Sequence, residues 1–547
     1  SEYGKVILPF TVLRRFDCIL APSKEEILER NKSLAVSNKA PIFKKYTGHD
    51  YYNVSKFDFE KLIDDSNNID TNLKDYINGF SDDVKEILDN FEIATIIEKL
   101  KKAGLLYLVV QKFSEINLGA DTIDNLEMGY MFEELIRKFS EQSNETAGEH
   151  FTPREVIELM VEVLLDTDLD EITTTDGKVI TILDPACGTG GMLSIAQNKI
   201  RALNSRTTVV PFGQELNPET YATCKSDMIL KNNTNSKIVF GNSFSEDGFR
   251  EQKFDYILSN PPFGVEWKKV KNFIENESKH KGYDGRFGAG TPRISDGSLL
   301  FLQHMISKMQ PIEKGGSRIG IVFNGSPLFS GDAGSGESEI RKWIIEKDLL
   351  EAVIGLPDQL FYNTGISTYV WILTNRKTDR RKGKIRLING TSFFGKMRKS
   401  LGNKRNEITE SDRKEIVRLY STYEHDENYI DFDNDDFGYR KITIERPLYD
   451  ENREIVVEKG NPKPNSKLRD TETVPFKEDI HEYFKREVLP HVPDAWIDEK
   501  KTKIGYEIPF TRHFYKFTPL RESSVILDEI KQLEEKIQKS LNELFKG

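Results

Sequence analysis

Two short runs of this sequence combine residue types that can hold a nucleotide-like cofactor and act on a planar amine. The first, Asp184-Pro185-Ala186-Cys187-Gly188-Thr189-Gly190-Gly191, follows an apolar run ending at Leu183 and precedes a helical pattern from about Met192. Glycines at a strand-to-helix turn lack Cβ and tolerate positive φ, so the backbone can come close to a ligand. Glu215 closes the next apolar run, 24 residues after Gly191. A carboxylate there can accept both hydroxyls of a ribose, and together the two features describe an adenosine-type site. No Gly-Lys-Ser/Thr follows the turn, so ATP hydrolysis is not expected. The second run, Asn260-Pro261-Pro262-Phe263, ends the apolar stretch Phe254–Leu258. Two prolines fix φ and carry no N–H, which leaves neighbouring carbonyls as outward acceptors. An exocyclic amine is a poor nucleophile because its lone pair is delocalised. Accepting its two hydrogens at the Asn260 oxygen and the Pro261 carbonyl favours pyramidal nitrogen as a bond to an in-line sulfonium methyl forms. Alignment then supplies much of the rate, without a strong general base. Phe263 offers a flat face for a planar substrate.

These runs need a scaffold. Val179–Leu183, Val209–Phe212, Ile238–Phe240, Tyr256–Leu258, Ile319–Val322, Leu350–Leu356 and Tyr369–Leu373 read as strands separated by helix-length segments. That alternation predicts parallel βαβ units in an α/β, doubly wound Rossmann-like sheet, whose strand C-termini carry ligands. Thr152-Pro153-Arg154-Glu155 has the form of a capping box opening a helix that buries Val156, Leu159, Met160 and Val163. Residues before about 143 read as a helical domain, with Val84, Ile87, Leu88 and Phe91 on one stripe and Leu105–Val110 as a buried helix segment. After about 406 the pattern is polar, mixed helix and loop, predicting a mostly helical tail. Asp431–Asp435 hints at a calcium loop but lacks its glycine and its final Glu, so no metal site is expected. Ile526, Ile530, Leu533, Ile537 and Leu544 form a narrow seam suited to a partner helix. The expected domains are 1–143, 144–405 and 406–547.

Composition narrows the class. With 37% hydrophobic and 31% charged residues over 547 positions, the chain is globular and long enough for about three domains. No apolar stretch is long enough to span a membrane, and no charged-then-apolar leader opens the sequence. Three scattered cysteines fit neither a disulfide framework nor a zinc cluster, which predicts a cytoplasmic location. The net charge of −11 argues against nucleic acid, but Arg376–Arg405 holds twelve Lys/Arg and one acid. An acidic protein can still present one basic surface to phosphates.

The order of the two runs, cofactor turn before Asn-Pro-Pro-Phe, resembles gamma-type N6-adenine DNA methyltransferases that use S-adenosylmethionine. More specifically, the chain resembles the modification (M) subunit of type I restriction-modification systems. Gly148–Arg154, Gln214–Pro218, Lys396–Gly402, Asp436–Tyr439 and Ile7–Phe10 also look like that family. The resemblance implies that Asn260, Pro261, Pro262 and Phe263 hold the flipped adenine. It implies that Glu149, His150, Phe151, Thr152, Pro153, Arg154, Asp184, Pro185, Cys187, Gly188, Thr189, Gly190, Gly191, Glu215 and Asn242 line the cofactor site. Many relatives carry Asp where this chain has Asn242, which brings no charge to the cofactor's adenine. Cys187 reads as a packing residue. The implied partners are double-stranded DNA, a specificity subunit, a motor-nuclease subunit and a second M subunit. The alternatives are a glutamine-amide protein methyltransferase using the same geometry, a nicotinamide-dependent oxidoreductase and a catalytically idle scaffold.

Overall fold

A computed structural model of the chain describes residues 2–143, 152–231, 233, 235–362, 364–515 and 522–544. Its centre is a nine-stranded sheet: β1 (Val179–Asp184), β2 (Thr208–Glu215), β3 (Lys237–Phe240), β4 (Tyr256–Ser259), β5 (Arg318–Asn324), β6 (Leu350–Gly355), β7 (Thr368–Thr374), β8 (Lys384–Asn389) and, beyond the hairpin β9 (Gly395–Leu401) and β10 (Lys404–Glu407), β11 (Tyr429–Asp433). The strand order is β11-β8-β6-β7-β5-β4-β1-β2-β3. The pairs β4-β1, β1-β2, β2-β3 and β4-β5 are parallel, so their carboxyl ends share one rim. β7 runs antiparallel between β5 and β6. The described residues of the β6–β7 link form no helix, and a parallel return needs a crossover, usually helical. The helix Arg154–Leu165 packs below the sheet, where a Cβ on Gly320 would meet Leu164 at 3.2 Å and Met160 at 3.4 Å.

All seven expected strands are present, most extended by a residue or two. β8 and β11 were not foreseen. β8 lies inside the basic run, and its Arg386 is buried against Asp431 of β11 through two bonds of 2.7 and 2.8 Å.

Nine α-helices are described between Glu2 and Ser143. Val84, Ile87 and Leu88 are buried, as their spacing predicts, together with Phe91. Leu106–Ser114 is a helix, but Leu105 (46%) and Leu108 (49%) face outward, so the apolar run is only half buried. This core includes Ala222 and Leu230 of the sheet-flanking helix Pro218–Leu230. Glu86 ties the layers together by accepting from Tyr221 Oη at 2.5 Å and Lys225 Nζ at 2.6 Å.

The C-terminal region corrects the helical expectation. β12 (Gly438–Glu445) pairs with Asp470–Pro475, Trp496–Ile497 and Lys503–Tyr506 in a small antiparallel sheet. Its strands are short and polar-faced, with Ile442, Ile444 and Val474 supplying a satellite core, so alternation is weak in the sequence. Asp433 and Asp436 cap a tight turn. Residues Ser1–Ile508 form one compact unit and Pro509–Gly547 a second. In the second, the helix Ser523–Leu544 exposes Ile526, Ile530, Leu533 and Ile537.

Candidate active site

Register places the two motifs side by side. Ile182 and Leu183 of β1 face Tyr256 and Ile257 of β4, so Asp184 and Ser259 leave the sheet together. Asp184 pairs with Gly213 of β2, which puts Glu215 on the same rim one strand over. Asn260, the cofactor turn and Glu215 therefore follow from three adjacent parallel strands.

The turn is held by its own carboxylate. Asp184 Oδ1 accepts from the Ala186 N–H at 3.0 Å and from Ser259 Oγ at 2.9 Å. It is 2% exposed, and burial raises its carboxyl to about 7, with the Glu215 charge adding and those bonds opposing. Ser259 precedes Asn260, so this bond ties the cofactor turn to the Asn-Pro-Pro loop. Gly188 (φ +52) and Gly190 (φ +83) are left-handed. A Cβ on Gly190 would meet Cys224 Sγ at 2.6 Å, whereas one on Gly188 would meet nothing within 4 Å. The turn is thus packed behind and open in front. Cys187 is buried, with its Sγ 4.0 Å from that of Cys224. Pro185 lends its carbonyl to Ser243 Oγ at 2.5 Å.

Glu215 faces the open side, oriented by two backbone donors. Gly188 N–H reaches its Oε2 at 2.8 Å, and Asn217 N–H reaches its Oε1 at 2.7 Å. A carboxylate has further lone pairs for two ribose hydroxyls. Asn242 is less open than expected, since its side-chain oxygen already accepts from the Phe244 N–H at 2.9 Å.

Asn260 Nδ2 donates to Thr152 Oγ1 at 2.8 Å. That bond anchors the amide at the start of the loop. It also corrects the capping box, because the helix Arg154–Leu165 has Pro153 at its N-cap and no side-chain cap. Thr152 is spent on Asn260, and Glu155 on an ion pair with Lys404. Arg154 stacks over Tyr130 at 3.9 Å and donates to its hydroxyl. Pro261 is buried, Pro262 half-buried, and Phe263 buried in the main core at 6% exposure, so its ring is not displayed as the sequence suggested. Glu149, His150 and Phe151 lie outside the described residues.

A shallow cleft beside the turn is lined by Arg154, Thr189, Gly191 and the pair Asp227 and Lys231. Sequence reasoning missed this pair, bonded at 2.5 Å, which a helical i,i+4 spacing could have flagged. It also missed Arg286, whose guanidinium donates to the carbonyls of Ser243 (2.9 Å) and Phe244 (2.6 Å) and to Glu277 (2.7 Å). Its contact to His304 Nδ1 at 3.2 Å requires a neutral acceptor. Burial, with the Arg286 and Lys308 charges, pushes that imidazole down to about 3. No local pattern marks this link, since Arg286 is about forty residues from the loop it braces.

The profile of the N-6 DNA Methylase family matches residues 124–438, and that of the HsdM N-terminal domain matches residues 1–113. The chain belongs to the N-6 DNA methylase family. The MjaIX type I restriction enzyme methylase subunit of Methanocaldococcus jannaschii is 26% identical over 77% of this chain and 69% of its own length. The HindI type I methylase subunit of Haemophilus influenzae is 31% identical over 50% of this chain and 55% of its own. The crystal structure of a type I methyltransferase subunit from Streptococcus thermophilus superposes with a TM-score of 0.60, at 22% identity over 80% of this chain and 92% of that one, and shares the fold. N-6 DNA methylases use S-adenosylmethionine, and the open face of Gly188 beside the oriented Glu215 fits its adenosine end.

Proposed function

We propose that this chain is the methyltransferase subunit of a type I restriction-modification complex and that it methylates N6 of adenine in DNA. The observation carrying this reading is the Asn260–Thr152 bond. It anchors the Asn260 side chain at the end of β4, beside the cofactor turn on β1. S-adenosylmethionine, when bound, supplies an electrophilic methyl on sulfonium. Thr189, Gly190, Gly191, Thr152, Pro153, Arg154 and Glu215 hold it in this reading, with Asn242 near its adenine. Asn260 and the Pro261 carbonyl accept the two hydrogens of the target amine. As the N–C bond forms and the C–S bond breaks, positive charge grows on that nitrogen and both oxygens stabilise it. The extra proton then leaves to water.

A base inside a duplex must be extruded first, at a few kcal/mol of lost stacking. In this reading a separate specificity subunit reads the bases. A second M subunit and a motor-nuclease subunit complete the proposed assembly, and the exposed seam of Ser523–Leu544 suits a partner helix. No helix among the described residues is long and apolar enough to cross a membrane.

The test is chemical. The chain, co-purified with its partner subunits, is incubated with methyl-labelled S-adenosylmethionine and unmethylated genomic DNA, and the nucleosides are resolved by mass spectrometry. Label in N6-methyldeoxyadenosine is expected. Label in N4-methylcytosine or in protein glutamine would refute the assignment.

A further inference from the structure

The positive charge of Arg376–Arg405 is not one surface. Lys377, Arg381, Arg386 and Lys404 are buried. Arg376 pairs with Asp168, and Lys382 with Asp379. What remains concentrated is the β9–β10 hairpin, where Lys396, Arg398, Lys399 and Arg405 are exposed beside one exposed acid, Glu407. None of the four cations forms an ion pair among the described residues. Like charges on so short a hairpin repel one another, so the arrangement is best matched by an external polyanion.

The position of the hairpin says which one. β8 runs parallel to β6, so its carboxyl end lies on the rim that carries Asn260, and the hairpin grows from there. It is firmly seated. Arg405 and Asn406 N–H donate to the Gln359 carbonyl at 2.9 and 3.2 Å, and Asn403 N–H to that of Tyr362 at 2.8 Å. Gln359 is left-handed (φ +58), a strained conformation held by this contact. Asn406 Nδ2 reaches the Asp358 carbonyl at 2.8 Å. Buried Lys404 pairs with Glu155, three residues from Thr152, which holds Asn260. The hairpin is thus braced against the element that orients the acceptor amide.

We infer that the β9–β10 hairpin is a phosphate clamp that grips duplex DNA beside the extruded adenine, an inference that rests on the DNA-methylating reading. Lys396 and Arg398, on one face of β9, and Lys399, at its edge on the other, meet phosphates in this reading and carry no sequence information. Phosphate contacts of this kind position a protein and make affinity salt-dependent.

The experiment compares the intact complex with a K396Q/R398Q/K399Q version and with E407Q, using fluorescence anisotropy on fluorescently labelled unmethylated DNA at several salt concentrations. For the triple variant, DNA affinity is expected to fall at least about tenfold near 0.1 M salt. The slope of log affinity against log salt is expected to shrink by about one per cation removed. Cofactor affinity should stay unchanged, and E407Q should bind DNA more tightly. Unchanged affinity and slope would overturn the clamp. So would failure of the triple variant to co-purify with its partner subunits, which would make the hairpin a protein interface. Binding is read directly, so the clamp is decided even if the parent complex leaves no methyl on DNA; that result would count against the proposed function alone.

Discussion

Thr152→Val probes the structure where it makes its sharpest claim. The substitution keeps the branched shape of Thr152 and removes the hydroxyl that receives Asn260 Nδ2 at 2.8 Å. That bond restrains the amide, so its loss lets the side chain leave the geometry that transfer requires. One net hydrogen bond is worth about 1 kcal/mol, which corresponds to about a fivefold fall in the methyl-transfer rate. Asn260→Ala removes the acceptor itself and belongs with loss of a preset transition-state group, on the order of 10²–10³. If Thr152 acts only through Asn260, the two effects do not add, and Thr152→Val in the Asn260→Ala background changes the rate by less than about twofold. The assay is single-turnover transfer of labelled methyl to unmethylated DNA by the complex, with calorimetry of cofactor binding alongside. Cofactor affinity should hardly move in Asn260→Ala. Full additivity of the two substitutions, or equal loss of cofactor binding and transfer in Asn260→Ala, would refute the reasoning.

Further outcomes follow from the same geometry. Glu215→Gln places an –NH2 against one of the two backbone donors, Gly188 or Asn217. Cofactor affinity should fall by about 10–100-fold by calorimetry, and an unaltered affinity would remove Glu215 from the site. Burial raises Asp184 from 3.8 to about 7, so the folded state stays protonated there while the unfolded chain ionises. Its contribution to stability is full below about pH 4 and is lost as pH rises through about 7, by about 4 kcal/mol in all. The melting temperature of Asp184→Asn, relative to the parent, should therefore rise between pH 5 and 8, and a flat difference would mean that native Asp184 is ionised throughout. Arg318 and Glu351 are bonded at 2.7 Å with 1% and 0% exposure, and Tyr420 contacts both. Arg318→Met leaves the buried Glu351 carboxylate only Tyr420 and the more distant Arg381 (3.9 Å) and should cost about 3 kcal/mol in denaturant unfolding; a loss under about 1 kcal/mol would contradict that.

The sheet was legible because its inner strands are buried on both faces and read as continuous apolar runs, β5 and β6 most plainly. The turn at Gly188–Gly191 was legible because Gly188 and Gly190 are left-handed and a Cβ on Gly190 would strike Cys224. The orientation of β7 was hidden, since strand direction is set by the link and not by the strand. β8 escaped notice because Arg386 and Lys384 interrupt it, and the burial of Arg386 depends on Asp431, 45 residues away. The same non-locality explains the failed capping box. Thr152 and Glu155 have the right local spacing, but Asn260 and Lys404 claim them across 108 and 249 residues. Charge counting misjudged the basic run for a related reason, because counting sees no pairs and four of its cations are buried.

A structure of the complex with S-adenosylmethionine and DNA would weigh most. The target nitrogen should sit about 3 Å from Asn260 Oδ1 and about 3–3.5 Å from the transferring methyl. The methyl carbon is therefore expected within about 6.5 Å of that oxygen, pointing toward Pro261. A methyl directed away from the Asn260 loop, or more than about 10 Å from it in every assembled state, would contradict the site as drawn.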